Sequence, residues 1–190
     1  MSCAHLEQVP APDAPEIAFA GRSNAGKSSA LNVLCDQRGL ARVSNTPGRT
    51  QLLNYFAVPN LGHLVDLPGY GYAKVPGEVK RDWGKLVTDY IEFRENLNGL
   101  IVIMDIRHPL TDYDRQLIGW AAEKQIAVHV LLTKCDKLGF GAAKSTLVKL
   151  RRDLGPMATA QLFSSTKKIG VEEARAVMLG WMKNGAPGET

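Results

Sequence analysis

Four side chains in this sequence, Lys27, Ser28, Asp66 and Asp136, stand where they could bind a nucleotide. Lys27 and Ser28 close the run Gly21-Arg22-Ser23-Asn24-Ala25-Gly26-Lys27-Ser28, which fits the phosphate-binding pattern G-x-x-x-x-G-K-[ST] at every fixed position. Gly21 and Gly26 let the backbone bend round a phosphate chain and point successive N–H groups inward. Lys27 would bring a mobile charge to the β- and γ-phosphates, and the Ser28 hydroxyl a ligand for Mg²⁺. An incidental Gly-rich turn is the plainer explanation. The context argues against it: residues 17–20 are apolar and read as a buried strand, while residues 29–34 lack Pro and Gly and read as a helix. The positive end of that helix would face the same anion.

Asp66 heads the run Asp66-Leu67-Pro68-Gly69 at the end of an expected strand. Its carboxylate would hold Mg²⁺ through a water, and the Gly69 N–H would meet a γ-phosphate. The bland alternative is a cap on the following turn. Thr133-Lys134-Cys135-Asp136 decides the base. A carboxylate at Asp136 can accept from both N1–H and N2–H₂ of guanine, a donor pair that adenine lacks, so a buried Asp is left unpaired against adenine. Lys134 would lay its aliphatic stem over the ring. Ser164-Ser165, after the last expected strand, would bring a backbone N–H to guanine O6. Each motif singly could be a charged loop; their joint order and strand-end placement argues against chance.

The elements that position these residues follow from periodicity. Strands are expected at 17–20, 52–58, 61–66, 99–104, 127–132 and 161–163, alternating with helices at 29–34, from 78, and at 111–124, 141–154 and 170–181. The hairpin 52–66 is expected to be the one antiparallel element in a parallel sheet. Inward helix faces are read as Val79, Trp83, Leu86, Val87, Tyr90 and Ile91, then Tyr113, Leu117, Trp120 and Ala121, then Ala143, Leu147, Leu150 and Leu154. The outcome is an open α/β sheet of six strands with helices on both faces, whose ligands sit at the carboxyl ends of the strands. Residues 1–15, with Pro10, Pro12 and Pro15, read as an extended, partly mobile arm, and residues 183–190 as a frayed tail. One domain, 16–182, lies between them. The polar, basic segment 36–50 is long enough to be functional or disordered.

At 190 residues the chain suits a single α/β domain. A net charge of +4 hints at an anionic partner. Between residues 134 and 168 stand Lys134, Lys137, Lys144, Lys149, Arg151, Arg152, Lys167 and Lys168 against only Asp136 and Asp153. With Arg38, Arg42, Arg49, Lys74, Lys80 and Arg81 they could form a face for RNA phosphates; ordinary solvated helix surface is the alternative. Three cysteines, Cys3, Cys35 and Cys135, without zinc-like spacing suit a reduced, cytoplasmic setting. No apolar run approaches a bilayer span and no signal-peptide pattern opens the chain. His63, His129, Trp83, Trp120 and Trp181 are read as packing residues.

Gly21–Ser28, Asp66–Gly69, Thr133–Asp136 and Ser164-Ser165 resemble the motifs of translation-factor-class P-loop GTPases. More narrowly, GRSNAGKSS, NTPGRTQ, DLPGYGYA and TKCDK are similar to those of the EngB (YihA/YsxC) family of bacterial ribosome-assembly GTPases, over residues 16–182. The resemblance implies a Ras-like fold, GTP hydrolysis with Mg²⁺, a monomer acting on the large ribosomal subunit or its precursor and its RNA, and a link to cell division and septation. It implies Ser28 and Thr50 as Mg²⁺ ligands, with Thr46 a competitor for the second place. Gly48-Arg49-Thr50-Gln51-Leu52 would be the first switch and residues 67–77 the second, with nucleotide contacts extending to Leu67, Pro68 and Phe163. Catalysis would fall to Lys27, Thr50, Gly69 and Asn24.

Two departures from the Ras pattern matter. Thr133 replaces the common Asn, which should shorten or lose a tie between base site and P-loop, and Tyr70 stands in place of a water-orienting Gln. Intrinsic turnover should therefore be slow. Asn24 and a K⁺ ion could supply part of the missing catalysis, since related K⁺-dependent GTPases carry Asn there; loop shaping by its own side chain is the alternative. Rival readings are a GTPase domain of an iron transporter or tRNA-modifying protein, a non-catalytic nucleotide-dependent RNA-binding module, and a P-loop kinase or ATPase, which Asp136 disfavours.

Overall fold

Two runs, Glu16–Gly21 and Leu97–Asp105, are buried along nearly their whole length, as strands covered by helices on both faces must be. They are the centre of the sheet. The computed structural model describes residues 1–41, 52–70 and 77–184, the side chains of 77–83 and 184 excepted. In chain order the elements are β1 (Ser2–Cys3), β2 (Glu16–Gly21), α1 (Lys27–Leu34), β3 (Leu53–Val58), β4 (Gly62–Asp66), α2 (Gly77–Phe93), β5 (Leu97–Asp105), α3 (Asp112–Glu123), β6 (Ala127–Thr133), α4 (Phe140–Leu154), β7 (Thr159–Leu162) and α5 (Val171–Asn184). The sheet order is β1-β3-β4-β2-β5-β6-β7. Pairing is parallel from β4 through β7 and antiparallel between β3 and β4.

Alternation along the central strands sorts the core into two layers. Ala18, Leu100, Val102, Val130 and Leu132 face Val87, Tyr90, Leu117, Ile118, Ala121, Leu150 and Leu154. Ile17, Phe19, Ile101, Ile103 and Leu131 face Leu31, Leu34, Ala174, Met178 and Met182 on the other side. Gly99 admits Trp181 against the sheet, since a Cβ there would lie 2.0 Å from the indole. His129 is a packing residue: it is buried, its ring nitrogens lie 2.6 Å from Thr159 Oγ1 and 2.9 Å from Gln161 Oε1, and burial lowers its pKa.

Three expectations change. The sheet has a seventh strand: Ser2–Cys3 pairs antiparallel with β3, because the Met1 carbonyl accepts from the Tyr55 N–H at 2.8 Å and Cys3 fills a fully buried position. The β3–β4 hairpin is therefore one of two antiparallel pairings. Tyr113 does not face inward; it is 45% exposed. The buried face of α3 is Asp114, Leu117, Ile118 and Ala121, an i, i+3, i+4, i+7 stripe that begins with a carboxylate instead of an aromatic ring. Val79 and Trp83 lie outside the described side chains.

At the end of β2 remote from the P-loop, Glu16 is fully buried. Its carboxylate accepts from both Arg94 Nη2 and Nε, from the Tyr90 phenol at 2.7 Å and from that of Tyr55 at 3.4 Å. Arg94 also donates to the Pro10 carbonyl at 2.7 Å, fastening residues 1–15 to the domain. Removing one partner strands the other charge without compensation. Arg94→Met should lower unfolding free energy by about 3–5 kcal/mol in urea denaturation; a midpoint matching the parent would show that the pair carries no such weight.

Candidate nucleotide-binding site

Gly21–Ser28 leaves the carboxyl end of β2 and enters α1 at Lys27. A Cβ on Gly21 would sit 2.8 Å from the Ile103 carbonyl oxygen, so only Gly fits where the loop leaves the sheet. Asn24 (φ 64°) and Gly26 (φ 100°) adopt the left-handed conformation, which turns the chain back on itself before the helix. Gly26 is the N-cap of α1, so the first N–H groups of the helix open on the concave side of the loop. The Asn24 side chain is exposed and makes no hydrogen bond among the described residues. It does not shape the loop by bonding its own backbone.

The second strand end meets the first directly. Lys27 Nζ forms an ion pair with Asp66 Oδ1, both side chains 12% exposed. Each charge answers the other at the place where a phosphate and a divalent cation would answer both. Beyond Asp66 the Leu67 N–H donates to the Phe19 carbonyl at 2.9 Å. The chain then runs alongside the P-loop: the Ser23 N–H donates to the Tyr70 carbonyl at 2.7 Å, and the Tyr70 N–H to the Gly21 carbonyl at 3.3 Å. Leu67 and Pro68 are buried and Gly69 is half-buried against this ladder. The Tyr70 ring points away from the loop, is 3% exposed, and donates its hydroxyl to Asp114 Oδ1. Burial, and then the Asp114 charge, raise its pKa well above the ordinary phenol value.

The third and fourth strand ends close the other side. Thr133 donates its hydroxyl to the Ala25 carbonyl, with the Met104 carbonyl 3.0 Å away. Of the two expected outcomes, a shortened or a lost tie between base site and P-loop, the structure has the shortened one: β6 ends so close to the loop that a hydroxyl spans the gap. Lys134 Nζ donates to the Asn24 carbonyl at 2.7 Å and to Asp105 Oδ2 at 2.9 Å, stretching its stem across the site. Asp136, in the 3-10 turn Cys135–Lys137, accepts at 2.6 Å from the Ser164 hydroxyl, which itself accepts from the Lys167 N–H at 3.1 Å. The Ser164 bond is the main reason that the Asp136 pKa lies below the usual carboxylate value. Cys135 donates its N–H to the carbonyl of fully buried Phe163 at 3.2 Å, which joins the two base-side loops. The Ser164 N–H is spent on the Ile169 carbonyl at 3.0 Å. Of the pair Ser164-Ser165, only the Ser165 amide has no hydrogen-bond partner among the described residues.

Sequence reading missed Asp105 and Arg107. Asp105 ends β5 and accepts from Arg107 Nε at 2.9 Å and Nη2 at 2.6 Å as well as from Lys134. The Arg107 bonds, then Lys134, hold its carboxyl well below the usual range. The available signal was an acid at a central strand's carboxyl end. Gly48, Arg49, Thr50 and Gln51, with Thr46, Arg42 and Lys74, lie outside the described residues; Leu52 is half-buried just before β3. Ser28 and Asp66, the other two expected Mg²⁺ donors, stand in the first turn of α1 and at the end of β4, elements that the Lys27–Asp66 pair brings into contact. Oxygen donors suit Mg²⁺, which takes its remaining ligands from phosphate and water. Of the basic cluster, Lys134 is committed to the site and Arg151 donates to the Ala160 carbonyl at 2.9 and 2.6 Å; Lys137, Lys144, Lys149, Arg152, Lys167 and Lys168 are exposed.

Among known proteins, a family model described as "50S ribosome-binding GTPase" matches residues 16–134. The chain is 55% identical over 185 residues to a probable GTP-binding protein EngB from Aromatoleum aromaticum, covering 96% of this chain and 86% of that relative. In structure it is similar to a crystal structure of a probable GTP-binding protein engB, with TM-score 0.71, 20% identity, and 88% and 98% of the two chains covered. It is also similar to the G domain of the T. maritima FeoB iron transporter, with TM-score 0.56, 26% identity and the same coverage. A complex of Era with MgGDPNP and a 16S ribosomal RNA fragment shares the fold at TM-score 0.68 and 19% identity, with 93% of this chain and 59% of that one covered.

The geometry around Asp136 predicts a specific exchange of ligand preference. Asp136→Asn replaces one acceptor oxygen by a donor, which opposes guanine N2–H₂ but suits the 2-oxo group of xanthine. Guanine nucleotide affinity should fall about 100-fold, with xanthosine nucleotides becoming the better competitors in a displacement titration. Retained guanine preference would remove Asp136 from the base site.

Proposed function

The chain belongs to the EngB family of GTP-binding proteins, within the 50S ribosome-binding GTPases, and from that premise we propose a slow GTPase switch in assembly of the large ribosomal subunit. The observation that carries the reading is the fusion of base end and phosphate end. Thr133 and Lys134, three and two residues before an Asp136 fixed by Ser164, are hydrogen-bonded to the P-loop carbonyls of Ala25 and Asn24. A ligand held at both ends would be a guanine nucleotide. We propose residues 16–182 as the G domain.

In the proposed mechanism Lys27 would exchange Asp66 for the β- and γ-phosphates, and Asp66 would then help to hold Mg²⁺ through a water. Mg²⁺, held by Ser28 and Thr50, would neutralise charge on the phosphates. Asp136 accepts from the guanine edge, Lys134 covers the ring, and the Ser165 N–H reaches O6. Gly69 presents its N–H to the γ-phosphate. Tyr70 is turned into the core, so the residue that follows Gly69 does not itself orient water, which supports slow turnover without a partner. Residues 48–52 and 67–77 would be the first and second switches, responding to the γ-phosphate and Mg²⁺. Exposed Lys144, Lys149, Arg152, Lys167 and Lys168 support contact with ribosomal RNA. The proposed role in cell division and septation rests on the family resemblance, and the proposed cytoplasmic setting on the free cysteines Cys3, Cys35 and Cys135; among the described residues no helix is long and apolar enough to cross a membrane.

Two measurements test this. Multiple-turnover phosphate release from GTP should be slow alone and rise about tenfold or more with large-subunit precursors; no stimulation by precursor, with binding intact, would favour a non-catalytic RNA-binding role. The side chain of Asn24, exposed and without a hydrogen bond among the described residues, supports a K⁺ site beside the phosphates. Turnover with the precursor should then be higher in K⁺ than in Na⁺, and Asn24→Ala should erase the difference. Equal rates in the two salts would dispose of the K⁺ site.

A further inference from the structure

Tyr70 is held at three points. Its N–H and carbonyl are bonded to Gly21 and Ser23 of the P-loop, and its hydroxyl to Asp114, 44 positions later. Asp114 is 2% exposed. Its Oδ2 accepts from the Thr111 N–H at 2.7 Å and the Thr111 hydroxyl at 2.8 Å, forming the capping box of α3. Oδ1 is left for the phenol, so the carboxylate is fully used. Gly69, the residue before this anchor, thereby lies alongside the P-loop at van der Waals distance: a Cβ on it would be 3.5 Å from the Gly21 oxygen and 3.7 Å from Ser23.

We infer that Tyr70 is a positioning residue, whose hydroxyl bond to Asp114 latches the Gly69 peptide in place against the P-loop before nucleotide binds. The inference rests on the proposed reading, in which the Gly69 N–H meets the γ-phosphate. It adds what keeps that N–H in place: a buried side-chain bond to the first turn of α3. GTP then finds the donor preformed and need not order it, whereas GDP, lacking the γ-phosphate, gains nothing from the latch. A competent state populated in only a fraction of molecules weakens apparent affinity by that fraction.

The test uses the full chain with GDP and a non-hydrolysable GTP analogue, titrated with Mg²⁺ present, alongside thermal unfolding. Tyr70→Phe keeps the ring and removes only the hydroxyl. It should leave GDP affinity within about twofold and weaken the GTP analogue by about five- to tenfold. Asp114→Ala, which also removes the cap of α3 and so lowers the melting temperature, should lower the analogue-to-GDP affinity ratio by a similar factor, and the double variant should lower that ratio no further, because the ratio depends on the one bond the two residues share. A general structural role would lower melting temperature and both affinities together in Tyr70→Phe, and that result overturns the latch. So does an unchanged ratio in Tyr70→Phe, or an additive loss in the double variant. If the unaltered chain binds neither nucleotide, the functional reading fails, and the latch with it; if it binds both, only the latch is on trial.

Discussion

Gly21 and Ile103 approach so closely that no side chain fits between them, and the site depends on that contact. It sets the parallel register of β2 and β5 at their carboxyl ends, pairing Gly21 with Ile103 as the P-loop departs. β4 lies on the other side of β2, and β6 beyond β5, each parallel and in register. Asp66, Gly21, Asp105 and Thr133 consequently end four adjacent strands along one edge. A parallel sheet delivers its strand ends to one side by construction.

Once those ends are level, short polar side chains suffice to join them. Thr133 reaches the P-loop with a hydroxyl, and Lys134 with an ammonium that also satisfies Asp105. Charges are answered locally: Lys27 by Asp66, and Asp105 by Arg107 and Lys134. The buried Glu16–Arg94 pair holds the opposite end of β2 in the same manner. The central strand is thus clamped by ionic groups at its base and by glycine contacts at its tip, with two apolar layers between. Family membership agrees with this plan, since relatives share the P-loop fold despite identities near 20% in the structural matches.

Much of this was legible in the residues. The P-loop pattern, the strand-end acids and the serine pair after the last strand fixed which chemistry to seek, because these motifs bind ligand through backbone and short side chains at set spacing. Helix faces were legible where apolar residues recur, as at Leu117 and Ala121 or Leu150 and Leu154. The misreading of Tyr113 shows the limit: a buried Asp one position later, stabilised by its own capping box and by Tyr70, carries no hydrophobic signal. Ser2–Cys3 escaped for a similar reason, being a two-residue strand whose partner lies some fifty positions away.

The sequence by itself determined the alternation of elements, the phosphate-loop pattern and the place of Asp136 after β6, since each is written in local spacing. Only the tertiary structure decided what those groups do to one another. Thr133 keeps a tie to the P-loop that is shortened and not lost, Asp105 organises Lys134, and Tyr70 turns from the nucleotide to Asp114. Contacts between residues 29 to 108 positions apart depend on which strands are neighbours and how deep they end, and no local period encodes either.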